Sequence, residues 1–120
     1  MIICFLLLTF RQYLTSRKFT MNFGEHIRSL REQKKLLLRE VASQMNMDTA
    51  LLSKLERGTR SARREQVIAL ANVLNEDQRQ FIKIWLADKI VNLIKEEEDR
   101  QDILKVAEEN IIYQINDNKR

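Results

Sequence analysis

The residues best suited to chemistry in this sequence are the arginines of residues 57–64. This stretch contains four cations and no acid in eight residues, at Arg57, Arg60, Arg63 and Arg64. A run of like charges is usually solvated surface, but it also suits a binding site for a polyanion. The elements on either side of the run therefore decide which interpretation holds.

No group of residues indicates catalysis. His26, the single histidine, has no Asp, Ser or Cys at catalytic or ligand spacing. The single cysteine, Cys4, excludes both a disulfide framework and a zinc site built on thiolates. The four adjacent acids of residues 96–99 would point in different directions on a helix, which favours solvated surface over a metal site. We predict no enzymatic activity, no metal and no cofactor.

Composition and charge distribution indicate the fold class. Proline is absent and glycine occurs only twice in 120 residues, so the sequence predicts an all-α fold. Residues 21–74 carry ten Lys or Arg and six Asp or Glu, whereas residues 75–120 carry eight and eleven. A basic module followed by an acidic segment is the expected organisation. The sparing use of cysteine favours a reducing compartment, and we expect a cytoplasmic protein.

Residues 1–20 are interpreted as an upstream extension outside the fold. Residues 2–10 form an apolar run of nine, about half of the ~20 residues that span a membrane as a helix. No cation precedes the run and no small-residue cleavage site follows it, so we expect neither a signal peptide nor a membrane partner. Met21 then opens a clear helix start, with Asn22 as cap and Glu25 three residues later. An N-terminal helix packed on the domain is the alternative.

Two very short amphipathic helices lie within residues 38–57. Helices of about seven residues are unstable alone, so a tight tertiary arrangement must hold this pair together. Ala42 suits a close crossing of the two helices, and Asn46 suits a left-handed turn between them. The pattern is typical of a helix-turn-helix. The outward positions are polar or small, namely Asp48, Thr49, Ala50, Ser53, Lys54 and Arg57.

Residues 23–75 resemble the DNA-binding domain of Xre/Cro/C1-type helix-turn-helix regulators. The resemblance rests on residues 27–31 (IRSLR), 41–42 (VA), 53–58 (SKLERG) and 70–74 (LANVL). It implies a five-helix lambda-repressor-like domain, followed here by a C-terminal helical extension. It also implies a structural ion pair between Arg31 and Glu56. The sequence departs from the family pattern in residues 36–39, where a Thr/Ser-Gln pair is usual, and at Leu51 and Ala62.

The resemblance implies two kinds of contact with double-stranded DNA. Base contacts are expected from Thr49, Ala50, Ser53 and Lys54. Phosphate contacts are expected from Arg39, Arg57, Arg60, Arg63 and Arg64.

The expected function is that of a bacterial transcriptional regulator that binds a palindromic operator as a homodimer, without a small-molecule effector. It is similar to restriction–modification controller proteins. We expect residues 21–75 to bind DNA and residues 76–120 to dimerise, unless the latter only pack on the domain's own core. The expected dimer interface consists of Phe81, Trp85, Ile90, Val91 and Ile94. The alternative function is an antitoxin-like or other helical protein-interaction module, with DNA binding secondary.

Overall fold

The computed structural model describes residues 22–120, and all regular secondary structure in this range is α-helical. The predicted all-α fold class is confirmed. The helices are α1 (Phe23–Gln33), α2 (Leu38–Gln44), α3 (Thr49–Arg57), α4 (Arg64–Val73), α5 (Gln78–Ile94) and α6 (Arg100–Asn118). The predicted extension of residues 1–20, which includes Cys4, lies outside the described residues.

The chain forms two compact units, of which the first ends at Asp88 and the second covers Lys89–Arg120. The first unit contains α1 to α4 and most of α5, and the second contains the end of α5 and all of α6. The core of the first unit is formed by Phe23, Ile27, Leu30, Val41, Ala42, Leu52, Leu55, Ala62, Val67, Leu70, Ala71, Leu74, Phe81 and Trp85. Helix α6 has no buried residue.

Side-chain oxygen atoms accept hydrogen bonds at the starts of α1 and α5. The Asn22 carboxamide oxygen accepts a hydrogen bond from the Glu25 backbone N–H at 2.9 Å, so the predicted cap of α1 is confirmed. At α5 the Arg79 N–H donates to Asp77 Oδ1 at 3.0 Å. Asn75, which lies further upstream, adopts a left-handed turn with φ +56°.

The acidic run of residues 96–99 separates two helices. Helix α5 ends at Ile94 and α6 begins at Arg100. The Arg100 guanidinium donates to the Lys95 carbonyl oxygen at 2.9 Å. Because the last carbonyl groups of a helix lack partners within it, this hydrogen bond satisfies one acceptor just beyond the end of α5.

Helices α1 and α3 approach each other closely at Gly24. A Cβ atom on Gly24 would lie 2.5 Å from the Leu55 carbonyl oxygen, and closer still to that of Glu56. Any larger residue would therefore force the two helices apart. Glycine at this position lets α1 support the inner side of α3.

Candidate nucleic-acid interface

Helix α3 is the centre of the candidate interface, and both of its ends are fixed by local chemistry. The Asp48 carboxylate accepts from the Ala50 N–H at 3.3 Å and caps the start of the helix. Gly58 ends the helix with φ +75°, the left-handed conformation that glycine adopts without steric cost. These two residues define the nine-residue length of α3.

One side of α3 is anchored in the core and the other faces solvent. Leu52 and Leu55 are buried, while Thr49, Ala50 and Lys54 are exposed. Ser53, the fourth residue predicted to contact bases, is half-buried. The structure therefore brings three of these four side chains onto an open surface and holds Ser53 at its edge.

The turn from α2 to α3 contains the small side chain at a close helix crossing and the left-handed residue that the sequence predicted. Ala42 is buried, and the Met47 N–H donates to its carbonyl oxygen at 2.9 Å. Asn46 adopts φ +52°, the left-handed conformation that Asn tolerates better than most residues. Together these features set the direction in which α3 leaves the turn.

A buried ion pair fixes the C-terminal end of α3 to α1. Arg31 Nε donates to Glu56 Oε1 at 2.7 Å, and Arg31 Nη2 donates to Glu56 Oε2 at 3.1 Å. The side chains are only 12% and 5% exposed. Arg31 Nη1 also donates to the Leu36 carbonyl oxygen at 2.9 Å, which connects the pair to the start of α2. The hydrogen bond to Glu56 raises the pKa of the Arg31 guanidinium, so the group stays cationic.

The five arginines predicted to contact phosphate are all exposed, namely Arg39, Arg57, Arg60, Arg63 and Arg64. The loop that carries two of them is held at Lys54, whose carbonyl oxygen accepts from the Thr59 N–H at 3.1 Å and from Thr59 Oγ1 at 3.3 Å. Arg60 and Arg63 are thus exposed on a loop whose start is held by defined hydrogen bonds.

The positions where the sequence departs from the family pattern have distinct surroundings. Leu37 precedes α2 without a side-chain capping hydrogen bond and is 49% exposed, and Arg39 in the first turn is exposed. Leu51 is half-buried. Ala62, which stands where a proline is common, is buried in the core.

The structure divides the predicted dimer interface into two groups. Phe81 and Trp85 are 1% and 7% exposed and belong to the core of the first unit, so they are not available to a second chain. The Phe81 ring meets the Phe23 ring edge-on, with centroids 6.0 Å apart. In contrast, Ile90 and Val91 are 49% and 58% exposed, and Ile94 is half-buried.

Trp85 has a role that the sequence did not predict. Its indole N–H donates to the buried Ala62 carbonyl oxygen at 3.1 Å, and the Arg64 guanidinium carbon lies 5.8 Å from its ring centroid. Trp85 therefore connects α5 to the arginine-bearing segment before α4. The periodicity of apolar residues along α5 gives no signal for a contact of this range.

Within residues 22–120, no three His, Cys, Asp or Glu side chains gather in a way that could hold a metal ion. Among the described helices, none combines the length and apolar character that crossing a bilayer requires.

Comparison with known families identifies the class of protein that this fold and surface define. Residues 22–81 match the family model described as a helix-turn-helix domain, which is half of the chain. The chain belongs to this helix-turn-helix family, and its membership indicates DNA as the partner. No curated protein matches the sequence.

Proposed function

We propose that this protein is a transcriptional regulator of the Xre/Cro/C1 type that recognises its operator through α3. The observation that carries the proposal is the two-sided character of α3, which anchors Leu52 and Leu55 in the core and exposes Thr49, Ala50 and Lys54. A helix supported in this way fits the major groove of B-DNA, which is wide enough to admit it.

The exposed side chains of α3 suit the edges of base pairs. The Lys54 ammonium group is a donor for guanine O6 and N7, and the hydroxyl groups of Thr49 and Ser53 bond either donors or acceptors. The Ala50 methyl group suits contact with a thymine methyl. A good base contact contributes about 1–3 kcal/mol of discrimination against the wrong base.

The arginines supply affinity that does not depend on sequence. Arg39, Arg57, Arg60, Arg63 and Arg64 are placed before, at the end of and after α3, where groove entry brings the sugar-phosphate strands close. Each phosphate that they neutralise releases counterions and adds about 0.9 to the slope of log affinity against log salt concentration. Weak binding to any duplex at low salt is the expected background.

Specific recognition by this surface requires two copies of the chain. Helix α3 has nine residues and is about 13 Å long, so one copy reads only a few base pairs. A homodimer on a palindromic operator would read two half-sites about 34–36 Å apart. In this proposal residues 21–75 bind DNA, the start of α5 completes their core, and the rest of residues 76–120 dimerise. Ile90, Val91 and Ile94 remain candidates for the dimer interface. Phe81 and Trp85 do not, because they are buried in the core of the first unit.

Selection of bound duplexes from a random pool, followed by one pair of variants, tests this proposal. Lys54→Ala should weaken binding to the selected sequence by about 5- to 150-fold, because it removes a base contact. Lys105→Ala removes the same charge from α6 and serves as the matched control, with little expected change. Equal effects of both variants, or a pool that yields no preferred sequence, would contradict recognition by α3.

A second candidate function is a helical protein-interaction module with DNA binding secondary, as in antitoxins. The exposure of every residue of α6 favours it, because a helix of that length with apolar side chains calls for a protein partner. The double variant Ser53→Ala/Lys54→Ala separates the two functions. Unchanged duplex affinity and salt slope would favour the interaction module.

A further inference from the structure

Helix α6 carries a continuous apolar face that the single chain leaves uncovered. Ile103, Ala107, Ile111 and Ile115 follow one another at intervals of four residues, and Leu104 lies beside them. Side chains at this spacing share one face of a helix. All 19 residues of α6 are exposed. Helices in proteins derive most of their stability from packing an apolar face, so we expect the apolar face of α6 to pack against another molecule.

The net charges at the two ends of this segment have opposite signs. Glu98 and Asp99 precede α6 and Asp102 lies in its first turn, where Arg100 is the single base. Lys119 and Arg120 follow its last residue, and Asp117 is the single acid beside them. A second copy aligned in parallel would bring like charges together, whereas an antiparallel copy would bring the acidic start of each helix to the basic end of the other.

We infer that α6 pairs with α6 of a second copy in antiparallel orientation. The twofold axis crosses the pair at the level of residue 109 along the helix. This inference rests on the proposed homodimer and specifies its interface. Ile103 then lies opposite Ile115 of the partner subunit, because both residues are six positions from 109. Ala107 likewise lies opposite Ile111 of the partner subunit, and Asp99 lies opposite Lys119 of the partner subunit. Every apolar position on this face except Leu104, which meets Gln114 of the partner subunit, gains an apolar partner.

The two orientations place the starts of the helices at different distances. A helix of 19 residues is about 28 Å long, so two antiparallel α6 helices begin at opposite ends of the pair, roughly that distance apart. A parallel pair would instead bring both starts to within an interhelical distance of about 8–10 Å.

The same charges also complement the dipole of an isolated α6, since acids lie at its start and bases at its end. Charge by itself therefore does not establish the orientation. A distance measurement does, because only an antiparallel pair makes the separation of equivalent residues depend on their position along the helix.

Spin-label distances in the full chain provide that measurement. In a Cys4→Ser background, one label is placed at Gln101→Cys and, in a separate sample, at Glu108→Cys, which lies on the same side of the helix seven residues later. Antiparallel pairing separates the two copies of position 101 by about 24 Å along the helix axis, and those of position 108 by only about 3 Å. The label pair at 101 should therefore be much farther apart than the pair at 108.

The possible outcomes distinguish the inference from the proposed homodimer. Similar distances at both positions would overturn the antiparallel pairing and leave a dimer in place. The absence of dipolar coupling in both samples, with a monomeric mass in solution, would overturn the homodimer as well.

Two sets of substitutions test the contacts. Ile111→Glu should convert the dimer to a monomer, whereas Glu109→Gln on the opposite face should not. Far-ultraviolet circular dichroism checks that both variants retain their helix.

Asp99→Lys and Lys119→Asp test the charge contact, and each should weaken the dimer by about two- to fivefold, the range of exposed ion pairs. The double variant should restore wild-type dimerisation. A dimer that tolerates Ile111→Glu, or charge effects that simply add, would overturn the assigned interface.

Discussion

The two units of this protein use apolar residues in opposite ways. In the first unit, α1 to α5 enclose a shared core in which residues such as Ile27, Leu52 and Leu70 are fully buried. In the second unit, α6 is equally rich in Ile and Leu, yet none of its residues is buried. The first unit buries its apolar residues within one chain, whereas the second leaves the apolar side chains of α6 exposed.

The first unit uses its own charges in two ways. Arg31 and Glu56 are paired with each other and largely buried, while the arginines around α3 are exposed. Those exposed cations remain available for phosphate groups. The first unit thus contains both the ion pair that fixes α3 and the exposed cations that surround it.

The largest effect on the first unit is expected from its buried ion pair. Arg31→Ala leaves the Glu56 carboxylate buried without its partner, which should reduce the free energy of unfolding by about 3–5 kcal/mol. Arg28→Ala is the control in the same helix, because its pair with Glu32 at 3.0 Å is more than half exposed. That variant should lose less than about 1 kcal/mol. Urea denaturation measures both, and equal losses would contradict the structural role of Arg31.

A matched pair of leucines tests the difference between the units directly. Leu70 is fully buried and Leu93 is 82% exposed. Leu70→Ala should reduce the free energy of unfolding by about 2–5 kcal/mol. Leu93→Ala should change it by no more than about 0.5 kcal/mol. A large loss at Leu93, measured by thermal unfolding at low protein concentration, would show that the second unit has a core of its own.

The two glycines separate a packing requirement from a conformational one. Gly24→Ala places a methyl group against the α3 backbone and should cost about 1–3 kcal/mol of stability, with weaker DNA binding because α3 must shift. Gly58→Ala makes only an ordinary van der Waals contact, with the Asn22 side-chain nitrogen at 4.0 Å, but keeps a left-handed φ of +75°, which costs about 1 kcal/mol. Its DNA affinity should be affected less. Denaturation and duplex titration of both variants check this, and the reverse order of affinities would contradict the close approach.

The smallest effect is expected at Trp85. Trp85→Phe removes the hydrogen bond to the Ala62 carbonyl oxygen but keeps an aromatic ring beneath Arg64, and should cost about 0.5–1.5 kcal/mol. Trp85→Leu removes the ring as well and should cost more. Chemical denaturation followed by circular dichroism compares them. An unchanged free energy of unfolding for Trp85→Leu would show that the contacts of Trp85 with Ala62 and Arg64 do not stabilise the first unit.

Features set by neighbouring residues were predictable from the sequence. The turn at Asn46, the end of α3 at Gly58 and the close crossing at Ala42 each follow from a local requirement for a left-handed backbone or a small side chain. The Arg31–Glu56 ion pair was expected only through the family resemblance, and the structure contains it. All of these features act over one or two turns of chain or belong to a recurring motif.

Features that depend on distant contacts were not predictable in the same way. Phe81 and Trp85, four positions apart, share one side of α5, whereas Ile90, nine positions after Phe81, lies on the opposite side. The prediction assigned all of them to one interface because of their apolar character alone. The structure separates them because the first two reach Phe23 and Ala62, which are far away in sequence. The need for glycine at position 24 has the same origin, since the obstructing carbonyl groups belong to α3.

The most direct test of the division between the two units is a titration of the ¹⁵N-labelled protein with duplex DNA, followed by amide chemical shifts. We expect large shifts within residues 49–64 and little change within residues 100–118 at constant protein concentration. Shifts concentrated in residues 100–118, with residues 49–64 unaffected at low salt, would contradict the proposed role of α3.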